Sequence, residues 1–293
     1  MQKRLCKRRI RLTTAGISVG LVGLVILFVT VSAPKALGAN TVLDTEGFES
    51  PLNTLGTIVG QPAELNNGAS TQNWLTFGGG SGTAVVQNSI FAPGGGSQAL
   101  RVDRAANSDD RWAVFPLTGV PGAGTPFVYV EWDMYVPTQN IPSGFGPAIG
   151  VEGYDDSGSI ALLGSLLIDV ATQDILYQAT GTGFLVETGT SFSYDQWHRY
   201  RILFDFGSAV YSVFFDGNPL VENIGFVDGA SFTSLTDADI AALAGAGDPT
   251  SQALTGTAYI DNFSIGQIPE PTGTVFVLAA FFGGVWWRRR RVW

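Results

Sequence analysis

Alternation of apolar and polar residues is the feature that most constrains the fold of this chain. In residues 128–136, valine, tryptophan and methionine occupy one set of alternate positions, and tyrosine and acidic residues occupy the other. Residues 197–206 repeat the pattern, with His198 in phase with the apolar positions. A period of two residues indicates half-buried β-strands. We therefore expect both segments to be strands with one face in the core.

Most of the remaining segment between residues 40 and 267 is also predicted to be β-structure. A strand over residues 209–215 leads into Asp-Gly-Asn-Pro at 216–219, a strong hairpin-turn signal. Glycine-rich loops separate further predicted strands at residues 98–104, 111–117, 148–152, 159–170, 183–186 and 257–265.

One short helix is predicted, over residues 237–244. Thr236 is its expected N-cap, and Asp237 and Asp239 would suit the positive end of the helix. Many short strands with so little helix indicate an all-β sandwich of two antiparallel sheets. A segment of 228 residues is long enough to bury a substantial core in one domain.

The N-terminal segment predicts export. Residues 1–39 contain a cluster of basic residues, an apolar stretch at 15–31 and small residues at 36–39. This order is typical of a secretory signal peptide cleaved before Asn40. The alternative is an uncleaved N-terminal anchor, because 17 apolar residues almost suffice to span a bilayer.

The C-terminal segment, residues 268–293, predicts a membrane anchor. Two prolines, Pro269 and Pro271, mark the end of the folded part. An uncharged run at 274–287 follows; as a helix it would span about 21 Å, which is short of a bilayer core of about 30 Å. Arginines behind it favour the cytoplasmic side, so the domain before Pro269 is expected outside the membrane.

This C-terminal order of parts resembles a PEP-CTERM sorting signal. The matching residues are the apolar run and, around it, Pro269, Glu270, Pro271, Arg288, Arg289, Arg290 and Arg291. The resemblance implies processing by an exosortase-type protease, membrane attachment through the C-terminal helix, and export in bacteria that make extracellular polysaccharide. The apolar run is short for the family, and two residues follow the arginines. The alternative is a plain anchor that is not cleaved.

Charge limits the partners of the domain. Between residues 40 and 267 the chain has five arginines, no lysine and 24 acidic residues, a net charge of −19. Repulsion therefore disfavours nucleic acid and anionic membrane surfaces, so no nucleic-acid partner is expected, whereas calcium, neutral glycans and cationic surfaces are permitted. The only cysteine, Cys6, lies in the predicted signal peptide, so no disulfide is expected in the domain.

Four stretches resemble the strand signatures of concanavalin A-like jelly-roll sandwiches, at residues 96–102, 194–201, 214–217 and 259–265. That group contains laminin-G-type domains, lectins, carbohydrate-binding modules and some glycoside hydrolases. The resemblance implies two antiparallel sheets, one of them carrying the site, and leaves the activity open.

Glu131 and Asp133 share one face of a predicted strand, which is half of a glycosidase arrangement. Laminarinase-type hydrolases of this fold have a second glutamate where residues 135 and 136 are tyrosine and valine. The expected acid/base is therefore missing. The alternative is that both carboxylates are solvated or pair with the neighbouring basic residues, Arg199 and Arg201. We expect no catalytic residues; if the chain is an enzyme, Glu131 and Asp133 are the candidates.

A carbohydrate site would combine exposed aromatic rings with polar groups. The expected ligand-binding residues are Tyr129, Glu131, Asp133, Tyr135, Trp197 and Arg199. Further aromatic candidates are Trp74, Trp112 and Tyr154, although most rings in a sandwich simply pack in the core.

No cofactor is expected, with the exception of a structural calcium ion. The resemblance places one between an acid near the first strand, here Asp44, Glu46 or Glu49, and an acid on the last, here Asp261; Glu49 and Asp261 are the expected pair. Acidic loops at 107–110 and 155–156 are alternatives, and all these acids could merely be solvated. His198 is the only histidine, which excludes multi-histidine metal sites, and its phase predicts an inward, hydrogen-bonded side chain.

Taken together, the sequence predicts an exported, surface-associated and non-catalytic protein that binds extracellular polysaccharide or contributes to the matrix. A polysaccharide-degrading enzyme on the same fold, either a glycoside hydrolase or a lyase, is the first alternative. A purely structural surface protein is the second.

Overall fold

A computed structural model describes residues 40–269, with the exception of residues 67, 143 and 246–248. The predicted signal peptide, residues 1–39, and the predicted anchor with its arginines lie outside the described residues. Within the described part of the chain, no helix is long and apolar enough to cross a membrane. The helical structure described there is one 3-10 turn, Pro249–Ala253, and strands make up most of the rest. The all-β prediction is confirmed.

Sheet A is built around β8 (Phe127–Tyr135) and β17 (Gly256–Ile268), which pair antiparallel. Beyond β8 lie three further strands, β13 (Trp197–Asp205), β14 (Val210–Phe215) and β15 (Asn218–Gly225). Two short series of strands pair with the other edge of β17. One consists of β6 (Ala99–Arg104), β5 (Thr83–Gln87) and β2 (Gly56–Thr57), and the other consists of β1 (Asn40–Asp44) and β3 (Pro62–Leu65).

Sheet B is also antiparallel. Its strands are, in spatial order, β4 (Ser70–Phe77), β7 (Asp110–Val114), β16 (Asp237–Leu243), β9 (Ala148–Asp155), β10 (Ala161–Asp169), β11 (Asp174–Gln178) and β12 (Leu185–Ser191). The strand β4 belongs to both sheets: Ser70–Asn73 pair with β3, and Trp74–Phe77 pair with β7. This strand therefore joins the two layers of an antiparallel sandwich.

The core lies between the two sheets, as strand alternation predicts. On β8, Trp132 is fully buried and stacks on Tyr200 of β13, with ring centroids 5.7 Å apart. Glycines of sheet B make room for the rings of sheet A: a Cβ at Gly164 would lie 2.7 Å from the ring of Tyr211. Trp74 and Trp112 are 0% and 2% exposed, so the prediction of exposed aromatic platforms at these two positions is wrong.

The helix predicted over residues 237–244 is also wrong, because Asp237–Leu243 form strand β16 between β7 and β9. Ala238, Ile240 and Ala242 join the core cluster between the sheets. Their alternation satisfies a strand, and two neighbouring strands supply the backbone hydrogen bonds of a central position. Tertiary pairing therefore overrides the local helix propensity of the alanines.

Candidate ligand-binding groove on sheet B

The structure brings together the site residues predicted on sheet A. Glu131 and Asp133 of β8 pair in register with Arg201 and Arg199 of β13, respectively. Arg199 donates through Nε to Asp133 Oδ1 at 2.8 Å and through a terminal nitrogen to Oδ2 at 3.0 Å. Arg201 donates through Nε to Glu131 Oε2 at 2.6 Å. Both carboxylates are therefore engaged in ion pairs, which is the non-catalytic alternative weighed from the sequence.

The predicted aromatic residues of sheet A lie beside these ion pairs. Tyr135 and Trp197 have ring centroids 5.6 Å apart, and Tyr135 donates its hydroxyl to Asp195 at 3.1 Å. The Arg201 guanidinium lies 5.7 Å from the ring centroid of Tyr129. His198 points inward and contacts Asp216, with Nδ1 2.8 Å from Oδ2. On the outer face of sheet A, the rings of Tyr129, Tyr135 and Trp197 are thus engaged in contacts with one another or with charged neighbours.

A second cluster, not predicted from the sequence, lies on the outer face of sheet B. Gly153 of β9 faces the core, where its Cβ would meet Phe204, so Glu152 and Tyr154 face outward. Glu152 is directly opposite Asp239 of β16, and Tyr154 is opposite Asp237. Since paired residues on one face have Cβ atoms about 5 Å apart, three carboxyl groups meet here.

Arg111 of β7 joins this cluster as its cation. Its Nε donates to Glu152 Oε2 at 2.6 Å, and Tyr154 donates its hydroxyl to the same oxygen at 3.0 Å. Glu152 is 1% exposed, so its charge is removed from water and depends on these donors. Burial alone would lower the pKa of Arg111, but the ion pair with Glu152 outweighs burial and raises it.

Arg111 lines two cavities. The larger, of about 530 Å³, is lined by Asp109, Arg111, Glu152, Leu167, Gln178, Leu185, Leu243, Ala244, Gly245, Pro249 and Gln252. The smaller, of about 320 Å³, is lined by Phe77, Arg111, Tyr154, Asp156, Ile160, Asp237 and Asp239. Together these residues define the sheet B groove. Its walls combine aromatic and aliphatic side chains with polar ones, the composition of a ligand site.

The groove has more hydrogen-bond acceptors than the protein satisfies. Gln178 Oε1 in the larger cavity and Asp239 Oδ1 and Asp156 Oδ1 in the smaller one are buried without a hydrogen-bond partner. A buried oxygen without a donor costs about 1–3 kcal/mol, so most are paired in native proteins. The groove is therefore suited to a ligand that is rich in hydrogen-bond donors.

The groove also contains carboxyl groups with perturbed acidity. Burial raises the pKa of Asp239 well above its ordinary value, and Asp237 raises it further. Burial raises the pKa of Asp237 as well, and that of Tyr154, whose hydroxyl also faces Glu152. Perturbed groups in a cleft are a common property of functional sites. Sequence reasoning missed them because Asp237 and Asp239 were assigned to a helix. Their spacing of two residues, as at Glu131 and Asp133, was the available signal.

The predicted calcium ligands, Glu49 and Asp261, flank one glycine-rich loop. Both oxygens of Glu49 accept hydrogen bonds, from the Ser97 and Gln98 amides at 2.6 Å and from the Ser97 hydroxyl at 2.9 Å. Asp261 accepts from the Ala92 and Asn262 amides, both at 2.8 Å. Among the described residues, no group of three or more acidic, histidine or cysteine side chains is arranged to hold a metal. This donor set fits a loop anchor better than a calcium site, and calcium here stays a prediction.

Asp261 predicts a pH dependence of stability. Burial raises its pKa to about 7, against the two amide hydrogen bonds. Between about pH 4 and about pH 7 the folded state holds a proton that the unfolded state releases, so stability falls as the pH rises. We expect urea unfolding to show a loss of about 2–4 kcal/mol across this range that Asp261→Asn lacks. An identical pH profile in the variant would contradict this assignment.

No protein-family model and no curated protein sequence matches the chain. Among solved structures, it is similar to the cellulose-induced protein Cip1, at a TM-score of 0.46 and 12% identity, over 66% of this chain and 90% of that one. It is similar to a carbohydrate esterase of the Shiga toxin-encoding bacteriophage phi24B, at a TM-score of 0.46 and 14% identity, over 66% and 89%. A Trypanosoma rangeli sialidase in complex with sialic acid matches at a TM-score of 0.42 and 17% identity, over 74% and 31%. The chain thus spans most of the first two proteins and less than a third of the sialidase.

Proposed function

We propose that this protein binds extracellular polysaccharide without cleaving it, and that the sheet B groove is the binding site. The observation that carries the proposal is the pair of cavities lined by Arg111, whose other lining residues include side chains with an unpartnered acceptor oxygen next to apolar and aromatic side chains. A sugar chain presents many hydroxyl donors together with apolar ring faces, so it matches both properties of the groove.

The proposal extends to the setting of the domain. A concanavalin A-like jelly roll is the arrangement we propose for the two antiparallel sheets. Export by the N-terminal signal peptide, and sorting by an exosortase-type protease through the C-terminal signal, would place the domain at the cell surface. Residues 40–267 carry a net charge of −19, which is compatible with a neutral or cationic polymer and disfavours an anionic one.

Catalysis on the same fold remains the second candidate, and one observation favours it. Glu152 and Asp239 face each other in register, one paired with Arg111 and the other with its pKa raised by burial and by Asp237. Two acids in contrasting environments are the pattern of an acid and base pair. If the protein degrades a polysaccharide, these residues, rather than Glu131 and Asp133, are the first to substitute.

Affinity electrophoresis of the full-length protein through polysaccharide gels tests the binding function. We expect retardation by at least one neutral or cationic glycan, without its breakdown. Phe77→Ala and Gln178→Ala, one in each cavity, should weaken retardation about three- to tenfold, since one such contact contributes about 0.5–1.5 kcal/mol. Tyr135→Ala on sheet A is the matched control and should bind like the wild type.

Any other result of the electrophoresis would lead to a different conclusion. Weakening by Tyr135→Ala alone would return the site to sheet A, where the sequence placed it. Breakdown of the retarding glycan would favour the enzyme. An absence of retardation by every glycan, including the extracellular polymer of the host, would leave a structural surface protein.

A further inference from the structure

The smaller cavity of the groove has an unusual charge balance. Its carboxyl groups come from Asp156, Asp237 and Asp239, and its walls from Phe77, Tyr154 and Ile160. Arg111 also lines it, but its Nε is bonded to Glu152. The three acids therefore share this one cation with Glu152, and its charge acts on Asp239 as well. We call this space the acidic cavity.

Two of these acids each keep one oxygen atom that no protein group satisfies, although the Asp239 carboxyl also hydrogen-bonds with that of Asp237 and Asp156 accepts a hydrogen bond from the Ala161 amide. Asp239 is 3% exposed, and its Oδ1 has no hydrogen-bond partner. Asp156 Oδ1 is buried and lacks a partner as well. By contrast, Asp237 Oδ1 accepts the Thr236 hydroxyl at 2.7 Å. The cost of leaving a carboxylate oxygen buried and unpaired is recovered when a ligand supplies a donor.

The chemistry of the cavity favours an organic cation as the ligand that supplies these hydrogen-bond donors. An anionic ligand would be repelled by the acids. Calcium takes six to eight oxygen ligands, and the described residues contain no cluster of three or more acidic, histidine or cysteine side chains suited to a metal. An ammonium group carries one positive charge and three N–H donors, which matches unpaired carboxylate oxygens. The aromatic residues Phe77 and Tyr154 also line this cavity, and aromatic rings favour a cation.

We propose that the acidic cavity binds the protonated amino group of an amino sugar, so that the preferred polysaccharide is a de-N-acetylated one. This inference rests on the proposed carbohydrate-binding function and names the ligand class of the same groove. The Asp239 carboxylate is the central acceptor, Asp156 is the second, and the aromatic rings pack against the sugar.

Proton release should accompany binding of this ligand. Burial raises the pKa of Asp239 and Asp237, and the repulsion between the two carboxylates raises the pKa of Asp239 further. The charged groups that face this pair are Glu152 of β9, Arg111 of β7 and the acids at 155 and 156. An ammonium group offsets the repulsion between the two carboxylates, so Asp237 and Asp239 together bind fewer protons on average when the ligand is bound.

Calorimetry of the full-length protein with matched oligosaccharides tests the proposal. The probes are a glucosamine oligomer, the N-acetylated oligomer of equal length, and a neutral glucose oligomer. We expect the glucosamine oligomer to bind at least about tenfold more tightly than the other two, with a heat of binding that varies with the ionisation enthalpy of the buffer.

Asp239→Asn should abolish this preference for the glucosamine oligomer. Asp156→Asn should reduce it and serves as the second variant if Asp239→Asn does not fold. Glu187→Gln, an exposed acid of β12 outside the cavity, is the charge-matched control and should keep the preference.

The possible results distinguish a failure of the amino-sugar inference from a failure of the proposed carbohydrate-binding function. Equal affinity for the acetylated and de-acetylated oligomers overturns the amino-sugar inference and leaves carbohydrate binding in place. An equal loss of preference in Glu187→Gln also overturns it, because the attraction would then be non-specific. Failure of all three oligomers to bind, together with free migration through every polysaccharide gel, removes the binding function as well.

Discussion

Replacing Arg111 with methionine is expected to lower the free energy of unfolding by about 3 kcal/mol, because it leaves the charge of Glu152 buried without its cation. The Glu152 side chain is 2% exposed and the Arg111 side chain 27% exposed, so water replaces the lost donor poorly. The Tyr154 hydroxyl, 3.0 Å from the same carboxylate oxygen, is the donor that remains. Urea unfolding of the purified protein measures the change through the shift in midpoint at constant slope.

The double variant Arg111→Met with Glu152→Gln is the control. Replacing the unpaired Glu152 carboxylate with an amide should recover at least half of the lost free energy of unfolding, since a neutral amide is far less costly to bury than an unpaired carboxylate. Additive losses from the two single substitutions would contradict the coupling and would mean that the ion pair contributes little. The cycle also shows whether the centre of the groove can be altered without unfolding the protein.

Replacing Trp132 with alanine is expected to cost about 3–5 kcal/mol, because it opens a cavity in the core between the two sheets. The ring is fully buried and stacks on Tyr200 at an interplanar angle of 12°. Its Nε1 has no hydrogen-bond partner, so the loss is one of packing and not of hydrogen bonding. Thermal and urea unfolding should both report it.

Trp197→Ala is the matched control for this prediction. Trp197 lies on β13 beside β8, but its side chain faces the outside of sheet A, against Tyr135. We expect its removal to cost less than about 1 kcal/mol, because half-exposed apolar contacts contribute little. Equal losses in the two variants would mean that the strand alternation does not separate a buried face from an outer one.

The fold was predictable where its signals are local. Alternation predicted β8 as residues 128–136 and β13 as residues 197–206, and the structure has Phe127–Tyr135 and Trp197–Asp205. The turn at 216–219 was found between β14 and β15, where Phe215 pairs with Asn218. Each of these signals lies within about ten residues, so neither strand depended on knowing its partner.

The candidate site was predictable only in part. Pairing of Glu131 and Asp133 with Arg199 and Arg201 was one of the alternatives drawn from the sequence, and the register of β8 with β13 places them opposite one another. The sheet B groove was not predicted. Arg111 and Glu152 are 41 residues apart, and Asp239 comes from a segment whose alanines favour a helix in isolation.

By itself, therefore, the sequence determined that the domain is acidic, rich in strands and without disulfides. It also determined which faces of β8 and β13 are buried. Both follow because composition and period-two alternation can be read without knowing the tertiary structure. Only the tertiary structure decided that residues 237–243 form a strand and that Arg111, Glu152 and Asp239 share one face of sheet B. The physical reason is that central strands gain their hydrogen bonds and burial from neighbours distant in the chain. Local propensity cannot report those neighbours, nor the cavities that they enclose.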